Sequence, residues 1–213
     1  MRFHTCWLLT VLALLGLGTP VAAEIPTTPE SPYVAAEGKA LLVFARSAKW
    51  QLPDVTYTVV DEGGRCLGVL GNGWTVAAPV RPGRQRIMVL SGTLQMGMQL
   101  LRVRLDAGKT YVIRLDPSIS AKEPIRFRVL RAEQEPFPSD ILGTTPFRSL
   151  ASVPMAPWED LDECSASMRK RAGKLESKSK RALEDWSTET KAFRDARTVR
   201  PNDGYSASEV VAP

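Results

Sequence analysis

The sequence predicts an all-β domain, an antiparallel β-sandwich of about seven or eight strands, followed by an irregular linker and a C-terminal amphipathic α-helix. Three observations predict it. Between Lys39 and Arg131 short apolar or alternating runs recur, each closed by Gly, Pro or Asp, and no helical period is sustained. After Arg131 the chain turns aperiodic and rich in proline. From Trp158 onward apolar residues return at steps of three, four and seven, the stripe of an amphipathic helix.

The chain opens MRFHTCWLLTVLALLGLGTPVAAE: a basic Arg2, an apolar run from Cys6 to Leu17, then small residues Ala22 and Ala23. That order reads as a secretory signal peptide over residues 1–23, cut after Ala23, with a retained anchor as the alternative. The run is too short to span a bilayer as a permanent anchor, and no later segment is long and apolar enough to do so. Cys6 has no lipobox before it and is not read as a lipidation site. Residues 24–38 include EIPTTPESPYVAAE, aperiodic and rich in Pro, Thr and Glu, and read as a flexible leader.

Residues 39–132 supply the strands. ALLVFAR (40–46) is apolar on both faces, as a covered strand should be. VTYTVVD (55–61) alternates and runs into the turn EGG. RCLGVL, WTVAAPV, RQRIMVLS, QLLRVRLD, YVIRLD and IRFRVLR follow, separated by GNG, RPG, a Gly- and Met-bearing connection around Gly97, AGKT and SAKEP. The GKT of the fourth connection resembles the tail of a phosphate-binding loop. Such a loop needs a glycine five positions earlier and a helix behind it. Val103 stands at that position, and an alternating strand follows, so Asp106 and Gly108 serve a turn, the glycine taking a positive φ.

Residues 133–157 carry prolines throughout and read as a linker packed along the sandwich by Phe137, Ile141, Leu142 and Phe147. Residues 158–198 are the helix. Leu161, Cys164, Met168, Ala172, Leu175, Ala182, Trp186 and Phe193 make its stripe, and Gly173 is a point of bending or division. Pro157 and the acids from Glu159 to Glu163 suit a helix start. The stripe packs back on the sandwich or meets a partner; the charged back, RKRAGKLESKSKR, offers an anionic membrane surface weak contact at best. Residues 199–213 read as a disordered tail.

The chemistry that the residues exclude is as informative. Loss of residues 1–23 removes one Arg and no acid, taking the formal charge from +5 to +4, and removes His4, the only histidine. The mature chain then has no imidazole for general base catalysis, for a Ser-His-Asp or Cys-His arrangement, or for a zinc or copper site. No catalytic residue, cofactor-binding residue or metal ligand is assigned, and no cofactor is expected; hydrolase activity through distant carboxylates stays as a second alternative. Cys66 and Cys164 either form one disulfide in an oxidising compartment or stay separate thiols.

Arg84 and Arg86, Arg102 and Arg104, Arg114, and Arg126 and Arg128 alternate with apolar neighbours. They should project from the face opposite the core. Residues 39–132 carry 15 basic and 6 acidic residues, an excess of nine. If the strands are neighbours, the seven arginines present one cationic face for anionic envelope glycan; the alternative is a solvated outer face. Nucleic acid is excluded as a partner by export and by the lack of stacking aromatics among these arginines. Trp74 and Trp50 are candidates for sugar stacking, with core or edge packing as the other reading for Trp74.

In order, GKALLVFAR, VVDEGGRCLGVLGNGWTVAAPVRPGRQRI and LDAGKTYVIRLD resemble a bacterial exported β-sandwich family, a domain of unknown function common on envelope lipoproteins. The likeness covers about residues 38–132, and residues 158–204 are similar to a helical tail of some members. A more distant likeness is to PEGA domains, small β modules of bacterial envelopes. The resemblance implies a periplasmic or outer-surface location and brings no catalytic residues. This chain lacks the members' lipidated cysteine. The expected function is a non-catalytic interaction or assembly module of the cell envelope, its partner an envelope protein or, alternatively, anionic glycan. The oligomeric state is not legible.

Overall fold

A computed structural model describes residues 31–48, 55–92, 97–118, 125–143, 146 and 160–211. The proposed signal peptide, the first part of the leader, Trp50, Phe147 and the predicted helix start at Trp158 lie outside the described residues.

Eight strands form where the apolar runs predicted them: β1 (Ala40–Arg46), β2 (Tyr57–Asp61), β3 (Cys66–Leu70), β4 (Thr75–Val80), β5 (Gly83–Ser91), β6 (Met98–Leu105), β7 (Thr110–Pro117) and β8 (Ile125–Val129). They divide into a four-stranded sheet, β4-β1-β7-β8, and a five-stranded sheet, β3-β2-β5-β6-β9, whose last member is the two-residue β9 (Thr198–Val199). One apolar cluster draws on both sheets: Leu42 and Phe44, Val76, Ile113 and Phe127 from the first, Val59, Ile87, Val89, Leu101 and Val103 from the second. The turn at Gly108 has φ +73° and leads straight into β7, so the GKT stretch is a strand connection.

The sheets are mixed, which corrects the purely antiparallel expectation. β1 runs parallel to β7 and β6 runs parallel to β9, while the other pairs are antiparallel. Side-chain alternation has the same period of two in either case. It therefore carries no information on the direction of the neighbouring strand.

Both sheets are covered on their outer faces. Over the five-stranded sheet lie α2 (Leu161–Lys170) and α3 (Ala172–Thr188), after α1 (Ser139–Leu142) of the linker. Asp160 caps α2, its side chain accepting the Glu163 N–H at 2.7 Å. The chain divides at Arg171, between α2 and α3 and next to the predicted Gly173. Cys164, Met168, Leu175 and Trp186 of the stripe pack on Val60, Val69, Met88, Leu90 and Leu100, whereas Leu161 and Phe193 at its ends stay exposed. Cys66 and Cys164 are joined in a disulfide that fixes α2 to β3.

The outer face of the four-stranded sheet is covered by segments predicted to be loose. Tyr33 of the leader, Phe137 and Ile141 of the linker, and Tyr205 and Val210 of the tail bury Leu41, Val43, Ala45 and Val112. The leader residues from Ser31 are thus docked, and Thr110 Oγ1 donates to the Tyr33 carbonyl at 2.7 Å. The predicted helix over 158–198 breaks a second time, at Glu189 and Thr190, before α4 (Lys191–Ala196), and the tail beyond it is structured: β9, a 3-10 turn at Pro201–Asp203, a bridge from Tyr205 to Thr110, and α5 (Ala207–Val211). The disordered-tail expectation fails because two buried apolar anchors among polar residues suffice when backbone pairing holds the segment between them.

Candidate functional site

The arginine pattern dictates where charge can gather. On β5, Arg84 and Arg86 share a face with Met88 and Leu90; on β6, Arg104 and Arg102 share one with Leu100. These strands pair antiparallel with Arg84 opposite Arg104 and Arg86 opposite Arg102. Directly opposed side chains start about 5 Å apart, and the two pairs are about 7 Å apart along the strands. The helices cover the Met88–Leu100 end of this face and leave the arginine end open. All four arginines are exposed.

The result is a groove of about 420 Å³ floored by the four arginines. Leu183 of α3 stands on one side and Thr198 and Val199 of β9 on another. Its single acid among the described residues is Glu62, from the β2–β3 turn, whose Oε2 accepts from Arg86 Nε at 3.0 Å. Arg102 lies over the Trp186 ring, 4.9 Å from guanidinium carbon to ring centre. Arg197 stacks on the same ring at 5.1 Å and ion-pairs with Glu189, so two cations contact Trp186. Arg84 and Arg104 have no ion pair or hydrogen bond from their side chains among the described residues. Like charges facing each other across strands repel. An oxyanion that took bidentate hydrogen bonds from both would relieve that repulsion.

The other predicted arginines do not join this face. Arg114, Arg126 and Arg128 belong to β7 and β8 of the other sheet, with Arg114 opposite Arg128. The single seven-arginine face is therefore corrected to two separate sets. Sequence alternation assigns each strand an inside and an outside but not a sheet. Arg114 Nη2 donates to both carboxylate oxygens of Asp140, at 2.7 and 2.9 Å, and Arg128 donates to Glu135 at 2.9 Å. This second set is tied to the linker that covers its sheet.

Groove residues that sequence reasoning did not single out are Glu62, Leu183 and Thr198. Glu62 follows Asp61, whose Oδ1 accepts from Gly63 and Arg65 N–H at 3.0 and 2.9 Å and shapes the turn that presents it. Leu183 lies on a second helix line with Arg169, Glu176 and Ser179 that meets the main stripe at Ala172, in steps of three and four. That line was the available signal. Trp74 is partly buried against the helix-covered cluster, with its ring set where a side chain at Gly71 would stand, and serves packing. Among the described residues no cluster of three metal-ligating side chains forms, and no helix is long and apolar enough to cross a membrane.

No family model matches the chain, and no curated protein sequence matches it.

Proposed function

We propose that the chain is an exported β-sandwich module of the bacterial cell envelope that binds an anionic glycan without catalysis, through the groove of Arg84, Arg86, Arg102 and Arg104. In this reading residues 38–132 are a domain of the envelope family they resemble, delivered by a signal peptide over residues 1–23. The observation that carries the proposal is the pair of opposed arginine couples in one open groove with Glu62 as its single acid among the described residues. Arg84 and Arg104 take no part in the core, and among the described residues that couple has no internal counter-charge. Arginine suits the role because its planar fork matches carboxylate and phosphate and stays charged at any physiological pH.

The variant Arg84→Ala/Arg104→Ala tests this with the least disturbance, since neither side chain holds the fold, whereas Arg102 also braces Trp186. Affinity for an acidic polysaccharide at low ionic strength should drop about tenfold or more in the double variant, each lost charge-assisted contact contributing on the order of 1 kcal/mol. In the parent chain the same affinity should fall as salt rises. Undiminished binding by the variant, with an unchanged thermal melt, would refute the groove as the site.

A further inference from the structure

The groove does not end at Arg86. A second groove of about 550 Å³ shares Glu62, Arg86 and Leu183 with it and continues along α2 and α3. Its helical wall from Ala172 to Leu183 covers eleven residue steps, about 17 Å at 1.5 Å per residue. Two further cations, Arg169 and Lys180, line it, with Glu176 as an added acid, and Met88, Met168, Leu175 and Leu183 give it an apolar side. The two grooves form one trough in which cations stand at both ends and at the junction.

Resting on the anion-binding reading above, we infer that the ligand is an extended chain of linked uronic-acid-type sugars, several units long, lying along α3 with its carboxylates on the arginines and on Lys180. Three features of the trough select this class. Its length exceeds what one sugar or one phosphate could touch, and Arg169 and Lys180 add cations beyond the arginine cluster. Leu183, the partly exposed apolar residue of its wall, with Met88, Met168 and Leu175 buried behind it, offers dispersion contact to the C–H face of a sugar ring, which inorganic polyphosphate does not have. Among the described residues no aromatic side chain lines either groove, and Trp186 is buried behind Arg102, which leaves no stacking platform for nucleobases there.

The junction suits passage of a chain. Arg86 and Glu62 are about half exposed, 46% and 52%, and an ion pair this open to water is weakly held. A sugar carboxylate can take the place of Glu62 on Arg86 while Glu62 swings into solvent. The polymer then contacts successive cations as one ligand, each contact after the first being made at high effective concentration.

Titration calorimetry of the full chain with galacturonic acid and its di-, tetra- and octasaccharides tests the inference. Affinity should rise at least about tenfold from di- to octasaccharide, beyond the few-fold gain from extra binding registers. Arg169→Ala/Lys180→Ala should keep disaccharide binding and lose the gain with length. Arg84→Ala/Arg104→Ala should weaken every length. Equal affinity for the di- and octasaccharide, or a length gain that survives Arg169→Ala/Lys180→Ala, would overturn the extended trough while leaving the anion groove standing. Tighter binding of inorganic polyphosphate of matched charge would overturn the uronate class. Absence of binding by any of these anions at low salt would remove the anion-binding reading itself. All four substitutions are at exposed positions, and an unchanged melt for each variant separates ligand loss from unfolding.

Discussion

Burial raises the ionisation pKa of three tyrosines in this protein, Tyr57, Tyr111 and Tyr205, most of all in the first and last. Burial pushes the Tyr57 phenol up to about 12, with Arg46, stacked 5.0 Å over its ring, opposing the shift and Asp116 adding to it. Burial likewise raises Tyr205 to about 12, with Glu135 and Glu209 adding and Arg128 and Arg114 opposing. In the unfolded chain both titrate near 10. Between about pH 10 and 12 the unfolded chain therefore holds fewer protons than the native one, and stability falls as pH rises. Below about pH 10 the contribution is fully present. The expected slope is on the order of 1 kcal/mol per pH unit for each tyrosine across that window. The Tyr57 hydroxyl has no hydrogen-bond partner among the described residues. Tyr57→Phe should therefore match the parent at neutral pH and flatten the alkaline slope, measured by urea melts at intervals between about pH 9 and 12. An unaltered slope in that variant would show that Tyr57 ionises as easily folded as unfolded.

At the scale of elements, the residues of this chain make its strands legible but not the partners of those strands. Each strand up to β8 has a side-chain period that survives any arrangement of neighbours, so its existence was legible. The glycine that lets β3 approach β4 was visible only as a strand irregularity: a Cβ at Gly68 would stand 2.2 Å from Val76 Cγ1. The helix stripe was legible because Cys164, Met168, Leu175 and Trp186 keep one phase across the break at Arg171. Pairing of Cys66 with Cys164 was left open by sequence, since two cysteines define no framework. In the structure the bridge spans 98 residues and is joined by a bond from the Cys66 N–H to Ser165 Oγ at 2.9 Å. A cross-link closing so long a loop restricts the unfolded chain strongly. Cys66→Ala/Cys164→Ala should lose about 2–4 kcal/mol in a denaturant melt. It should also raise amide exchange in α2 before the strands of the core, because the bridge ties that helix to the sheet. A loss below about 1 kcal/mol would mean that apolar packing alone seats α2.

For the whole molecule, the least legible feature is the path of the last residues, because their holding contacts are long-range. Arg102 N–H donates to the Arg197 carbonyl at 3.0 Å as the tail joins the five-stranded sheet; Thr110 and Tyr205 exchange backbone bonds of 2.9 and 2.8 Å as it reaches the four-stranded one. The tail thus connects the two sheets a second time, independently of their shared core. It also forms the β9 side of the arginine groove, so the candidate site depends on it. Its closest approach is at Gly204, where a Cβ would stand 2.7 Å from the Tyr111 ring and 3.0 Å from Lys109 Cβ. Tyr111 cannot easily yield: it is fully buried, and its hydroxyl accepts from Asp106 N–H at 2.8 Å and donates to the Pro201 carbonyl at 3.2 Å. Gly204→Ala should therefore cost about 1–3 kcal/mol, the usual range for overpacking. The damage should be local first. Hydrogen exchange should quicken at Thr110 and Tyr205, where the tail is paired, while Val43 and Val89 in the sheet interiors stay protected. If the tail is the wall of the groove, the same substitution weakens glycan binding in proportion to the fraction of molecules with the tail released. Normal protection at Thr110 and Tyr205 in the Ala variant would show that the tail tolerates the extra methyl and that its seat against Tyr111 is not what keeps it paired.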